Sequence, residues 1–141
     1  GGKGMTGADF GPSAVMADLK ANKQLAVYTI GAWYDAGAVG GAFKFHQELK
    51  EAGLKSKLTV GPWSHGCRKN CSPFAFDENP KFDLYAELVR FFDFHLKGAT
   101  DTLIEEEPDM HFWTIGAEHW RSGYNWPLRD VSTERMFFGN K

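Results

Sequence analysis

Several things are scarce or missing in this chain of 141 residues, and each absence narrows what it can be. Basic side chains do not outnumber acidic ones: 16 Lys and Arg against 18 Asp and Glu leave a formal charge of -2, so no positive surface is available for phosphates and a nucleic-acid partner is not expected. No run approaches the roughly 18 apolar residues that a membrane helix needs. No signal peptide stands at the start, and Gly1-Gly2-Lys3-Gly4-Met5 reads as an excised piece and not as a natural initiator. Two cysteines, Cys67 and Cys71, are too few to assign a redox compartment. Their Cys-x-x-x-Cys spacing has no second pair and falls short of a four-ligand zinc site. A Gly-x-Ser-x-Gly elbow occurs nowhere, nor does an internal repeat or a low-complexity segment.

What remains is the composition of a soluble globular chain, with 43% hydrophobic and 24% charged residues and a high aromatic share of 15%. Its length suffices for one domain with a real core. Val15, Met16 and Leu19 recur at helical spacing behind Pro12 and Ser13, so a helix is expected over Pro12 to Lys23. Leu25 to Ile30 is a nearly unbroken apolar and β-branched run, the pattern of a strand covered on both faces in a parallel sheet. Ala38, Ala42, Phe45, Leu49 and Ala52 repeat at four and three with Gly53 as a left-handed end, and Lys57 to Val60 is a second strand. This order suits a right-handed parallel crossover.

Residues 66 to 79 read as a long loop, and loops of that length in a compact domain are often functional. Asn79-Pro80 then reads as the N-cap and first residue of a helix carrying Phe82, Tyr85, Val89, Phe92 and Leu96, ended by Lys97 and Gly98. That stripe, the largest in the chain, is expected to pack on the sheet. Ala99 to Pro108, with Glu105, Glu106 and Glu107 before the proline, reads as an exposed linker, with a β-rich unit beginning near residue 108 and holding strands at Met110 to Ile115 and Glu134 to Phe138.

The chemistry concentrates where the two strands end. Gly31-Ala32-Trp33-Tyr34-Asp35 follows the first and Gly61-Pro62-Trp63-Ser64-His65-Gly66 the second, so a carboxylate and an imidazole reach the carboxyl ends of adjacent strands, where open α/β sheets bind ligands. An Asp that orients a His is two thirds of a nucleophilic triad, and acid before histidine is the α/β-hydrolase order. Taken singly, Asp35 reads first as an N-cap of the following helix and His65 as a loop histidine satisfied by backbone groups. Their joint placement favours a shared site. No serine in the chain sits in a nucleophile's setting, and Cys67, two residues past His65, has no elbow either. Trp33 and Trp63 flank the site as pocket walls or as packing under the loops. Two further readings stand beside the hydrolase: a non-catalytic module binding a partner or ligand through its aromatic-rich C-terminal part, and a small metal site at His65, Cys67 and Cys71.

Four ordered motifs from Gly31 to Pro127 carry a resemblance to a known family. These are Gly31 to Asp35, Gly61 to Gly66, Arg90-Phe91-Phe92-Asp93-Phe94-His95-Leu96-Lys97-Gly98, and Phe112-Trp113-Thr114-Ile115-Gly116 through Trp120-Arg121 to Trp126-Pro127. Together they resemble the CocE/NonD and X-prolyl dipeptidyl-peptidase family of serine hydrolases. The resemblance implies an α/β fold in which residues 1–107 are the last portion of an α/β-hydrolase domain and 108–141 the first strands of a jelly-roll β-domain. It implies Asp35 as triad acid, His65 as triad base, and a serine upstream of this stretch, so that the chain alone is inactive. A small-molecule ester, amide or X-prolyl peptide is the implied substrate, and no cofactor or metal is implied. A shortened sheet exposes edges and apolar faces, so self-association is expected.

Overall fold

The computed structural model describes residue 4 and residues 12–66, 69–74 and 82–139, with Pro12 and Ser13 as backbone only. Among the described residues, three helices and four strands make a mixed α/β fold around one sheet of order β1-β2-β3-β4. Helix α1 (Pro12–Ala21) ends at Ala21, two residues short of the expected Lys23, where the Asn22 side chain takes the Gln24 N–H and turns the chain into β1. Strand β1 (Ala26–Ala32), helix α2 (Ala38–Glu51) and strand β2 (Lys55–Gly61) form the expected crossover. Both strands run parallel, from Ala26 opposite Lys55 to Ala32 opposite Gly61.

Burial explains why β2 holds the centre. From Ser56 onward it is covered on both faces, with Leu58, Thr59 and Val60 fully inaccessible. Leu58 and Val60 meet Phe43 of α2 together with Met110 and Phe112, a cluster in which each large side chain contributes about 1.5–3 kcal/mol by leaving water. A second cluster joins Met16 of α1 to Leu49 and Leu54, which fastens α1 to the same side.

Helix α3 (Leu84–Lys97) covers the other face and departs from expectation in two ways. It starts at Leu84, capped by Asp83, whose carboxylate accepts the Tyr85 and Ala86 N–H groups at 3.0 Å each. Phe82 therefore precedes the helix; the expected cap at Asn79-Pro80 lies outside the described residues. The stripe Tyr85, Val89, Phe92 and Leu96 faces outward instead of packing on the sheet. Phe91 takes the buried place, its ring 5.2 Å from that of Tyr28. The reason is Lys57, which points from β2 toward α3, so the helix presents Glu87 and Arg90 to the sheet and turns its apolar stripe away.

Beyond α3, strand β3 (Met110–Thr114) joins β2 in parallel and pairs antiparallel with β4 (His119–Gly123). The change of composition near residue 108 thus falls between α3 and a strand of the same sheet. No strand forms at 134–138: residues 131–139 carry no regular structure, and Met136, Phe137 and Phe138 stand exposed. An apolar run without a neighbouring strand gains none of the ladder hydrogen bonds that hold one. Glu107, expected in a solvated linker, instead pairs with Lys57 and Arg90.

Candidate active site

Asp35 and His65 meet at the carboxyl ends of β1 and β2. His65 Nδ1 lies 3.1 Å from Asp35 Oδ2 and 3.2 Å from Oδ1. The backbone beneath them continues the β1–β2 pairing past the strands: Trp33 N–H donates to the Gly61 carbonyl and Tyr34 N–H to the Trp63 carbonyl, each at 3.0 Å. Two glycines permit this course. A Cβ on Gly61 would stand 2.4 Å from the buried Trp63 indole, and Gly66 turns the chain immediately after the imidazole at φ 89°.

The capping explanation of Asp35 does not hold in this geometry. The N-cap of α2 is Gly37, with no side-chain cap bond, and Asp35 contributes only its backbone carbonyl, which accepts the Ala38 N–H at 2.9 Å. Its side chain is left for His65. An ionised carboxylate can only accept, so the contact requires the proton on Nδ1 and leaves Nε2 as a lone-pair base. The His65 side chain is 93% exposed and Asp35 29%, so the imidazole is open to a group arriving from outside the described residues.

Trp33 and Trp63 serve as packing. Trp63 is 4% exposed against Phe82 and Trp120, and Trp33 stacks toward Phe43 while its Nε1–H donates to the Trp113 carbonyl at 2.8 Å. Of the proposed metal ligands, Cys67 lies outside the described residues and Cys71 is a half-buried free thiol. Among the described residues no three His, Cys, Asp or Glu side chains form a cluster able to hold a metal.

Two concavities among the described residues lie elsewhere. One of about 450 Å³ opens at the opposite end of the strands, around Lys55, Lys57, Phe91, His95 and Asp109. Another of about 200 Å³ lies between Thr59, Phe82, Arg90, His111 and Trp120. Neither is lined by Asp35 or His65, whose dyad is defined here by its hydrogen bond and its place on the sheet.

Sequence reasoning missed the charged network beneath that second cavity. Lys57 pairs with Glu87 at 3.1 Å and with Glu107, Arg90 pairs with both glutamates, and the Tyr28 hydroxyl donates to Glu87. Burial raises the Tyr28 hydroxyl well above the usual phenol range and lowers Lys57 below the usual ammonium range, against the attraction of Glu87. Lys57 inside an otherwise apolar strand was the available clue.

Two histidines near this network give a pH dependence with a definite sign. Burial, then the charge of Lys57, holds His111 below the ordinary imidazole range; burial, then Lys55, does the same to His95. The unfolded chain therefore binds protons that the folded chain refuses once the pH drops below about 6.5. Stability is flat above that pH and declines below it as the pH approaches the depressed folded values. Glu87 and Asp109, held low by their cationic partners against burial, lose their contribution only in a more acidic range. The thermal midpoint should fall between pH 7 and pH 5, and fall less in His111→Gln; equal midpoints at both pH values would contradict this assignment.

Comparison with known proteins decides the kind of chemistry to consider. No family model matches the chain. A Mycobacterium bovis protein whose name assigns it provisionally to the serine esterases is 37% identical over 102 residues, 72% of this chain, and a Mycobacterium tuberculosis protein named likewise matches equally well. Cocaine esterase of Rhodococcus is 32% identical over 123 residues, 81% of this chain. The chain is similar to serine esterases. It spans 16% of the length of the mycobacterial proteins and 20% of cocaine esterase, so the similarity concerns one segment of much longer polypeptides.

Proposed function

We propose that this chain supplies the acid and the base of a Ser-His-Asp triad in an acyl hydrolase of the CocE/NonD type, with the serine contributed by polypeptide outside these 141 residues. The observation that carries the proposal is the Asp35–His65 contact at the ends of adjacent parallel strands, with the imidazole open on its other side. The esterase names of its relatives support the reaction class. In this reading Asp35 holds His65 with its proton on Nδ1. Nε2 then takes the proton of the serine hydroxyl as that oxygen bonds to the acyl carbon, and returns it to the leaving alcohol as the ester bond breaks. Water repeats the sequence on the acyl-enzyme, its proton passing through Nε2 to the serine oxygen. Esters are the first substrates to consider, with amides and X-prolyl peptides as the wider class that the family resemblance suggests.

The same reading makes residues 1–107 the closing part of an α/β-hydrolase domain, and β3 and β4 the first strands of a jelly roll docked on its last strand. A fluorophosphonate probe tests the function. The isolated chain should take up none, while a polypeptide extended to include the serine should be labelled stoichiometrically. His65→Gln should slow that labelling by a factor of about 10³ or more, the scale on which loss of a triad member acts. Labelling of the His65→Gln protein at the undiminished rate would overturn the proposal.

A further inference from the structure

The loop that carries His65 is tied down at its base. Trp63 and Asn70 form an isolated antiparallel bridge, and the Cys71 N–H donates to the Pro62 carbonyl at 2.7 Å, so Ser64 to Gly66 leave and Lys69 returns through a closed neck. One residue past the neck, the Ser72 hydroxyl donates to Glu118 Oε1 at 3.0 Å. Ser72 is buried, and its oxygen also accepts the Phe74 N–H, so it fixes the return limb of the loop.

Glu118 sits in the turn between β3 and β4 and gathers three donors. Oε1 also accepts the Gly116 N–H at 2.7 Å, and Oε2 accepts the Trp113 Nε1–H at 3.1 Å. Burial pushes its carboxyl up, but these three donors outweigh that effect and hold it below the usual range. Its backbone is in the left-handed region at φ 53°, a conformation that is strained for a residue with a Cβ and that glycine adopts freely. A turn needing only its shape would be better served by Gly at this position. The same β3 end also holds the acid's loop, since the Trp113 carbonyl accepts the Trp33 indole N–H two residues before Asp35.

We infer that Glu118 is a positioning residue for the Asp35–His65 dyad, its carboxylate clamping the His65 loop through Ser72 while the Trp113 it also holds anchors the Asp35 loop. This rests on the triad reading of those two residues. Strain retained in the turn is the local cost of a carboxylate placed where it can reach both limbs.

Glu118→Gly tests this because it relieves the strained backbone while removing the carboxylate that accepts from Ser72, Trp113 and Gly116. Ser72→Ala removes the loop's side of the contact without touching the turn, and Glu118→Gln keeps one acceptor oxygen. The readout on the 141-residue chain is the ring ¹⁵N spectrum of His65, which reports the ratio of the Nδ1–H to the Nε2–H tautomer, with the thermal midpoint measured alongside. We expect Glu118→Gly and Ser72→Ala each to lower that ratio at least threefold with no loss of the cooperative thermal transition, and Glu118→Gln to recover half or more of it. A wild-type ratio retained in both Glu118→Gly and Ser72→Ala would overturn the inference while leaving the triad reading intact. A wild-type His65 without the Nδ1–H form would instead remove the triad reading itself.

Discussion

Asparagine in place of Asp35, in an active esterase that contains this segment, should lower kcat about 10⁴-fold with little change in KM, because the imidazole loses the acceptor that keeps its proton on Nδ1. An amide can turn its NH₂ group toward the ring, which then offers Nδ1 as acceptor and carries its proton on Nε2, the wrong nitrogen for a base. The structure also fixes what should not change. Helix α2 is capped by Gly37, and Asp35 supports the helix only through its backbone carbonyl, which asparagine retains. Unfolding free energy should therefore stay within about 0.5 kcal/mol of wild type, where loss of a capping side chain would cost about 0.5–2 kcal/mol. A large rate loss at unchanged stability marks a catalytic acid, and steady-state kinetics beside urea unfolding separates the two roles. A stable variant with full activity would contradict the assignment.

The second large effect concerns folding. Glu87→Ala should destabilise the chain by about 3–5 kcal/mol, the range for removing one partner of a buried ion pair. Lys57 is 5% exposed and lies between Glu87 at 3.1 Å and Glu107, while Arg90 reaches Glu87 at 2.7 Å and Glu107 at 2.6 Å. Deleting Glu87 leaves two cations sharing the Glu107 carboxylate and takes from the Tyr28 hydroxyl its carboxylate acceptor. The exposed pair Lys55–Glu105, at 3.0 Å, supplies the control: Glu105→Ala should cost under about 1 kcal/mol because water already screens both groups. Urea denaturation of both variants checks the contrast, and equal midpoints would count against the network's role in holding α3 on the sheet.

These two sites mark how far the sequence could be read. The crossover and the dyad were legible because local rules and the global fold agree there: apolar runs made parallel strands, a three-and-four repeat made α2, and Asp35 and His65 lie just past the strand ends. Helix α3 was misread in orientation because periodicity reports that a helix has an apolar side, not which side the sheet will accept. A single lysine at position 57 reversed the choice by demanding Glu87 and Arg90 opposite it. Its start was misplaced because two capping sequences compete within five residues, and Asp83 bonds two helix N–H groups. The apolar run at 134–138 had strand composition but no paired neighbour, a requirement that lies outside the run itself. Glu118 was invisible for a different reason. Its partners Ser72 and Trp113 are brought to it by the loop neck and the β3–β4 turn, and nothing in the order of residues links positions 72 and 118.

The central claim is that this chain brings the general base to a serine it does not itself contain. The most direct measurement is a crystal structure of a longer polypeptide that contains this segment, treated with a phosphonate that bonds covalently to a nucleophilic serine. The account predicts the modified serine oxygen within about 2.6–3.2 Å of His65 Nε2, with Nδ1 still bonded to Asp35. A phosphonate attached to a serine beyond the reach of His65, served by another histidine, would contradict it.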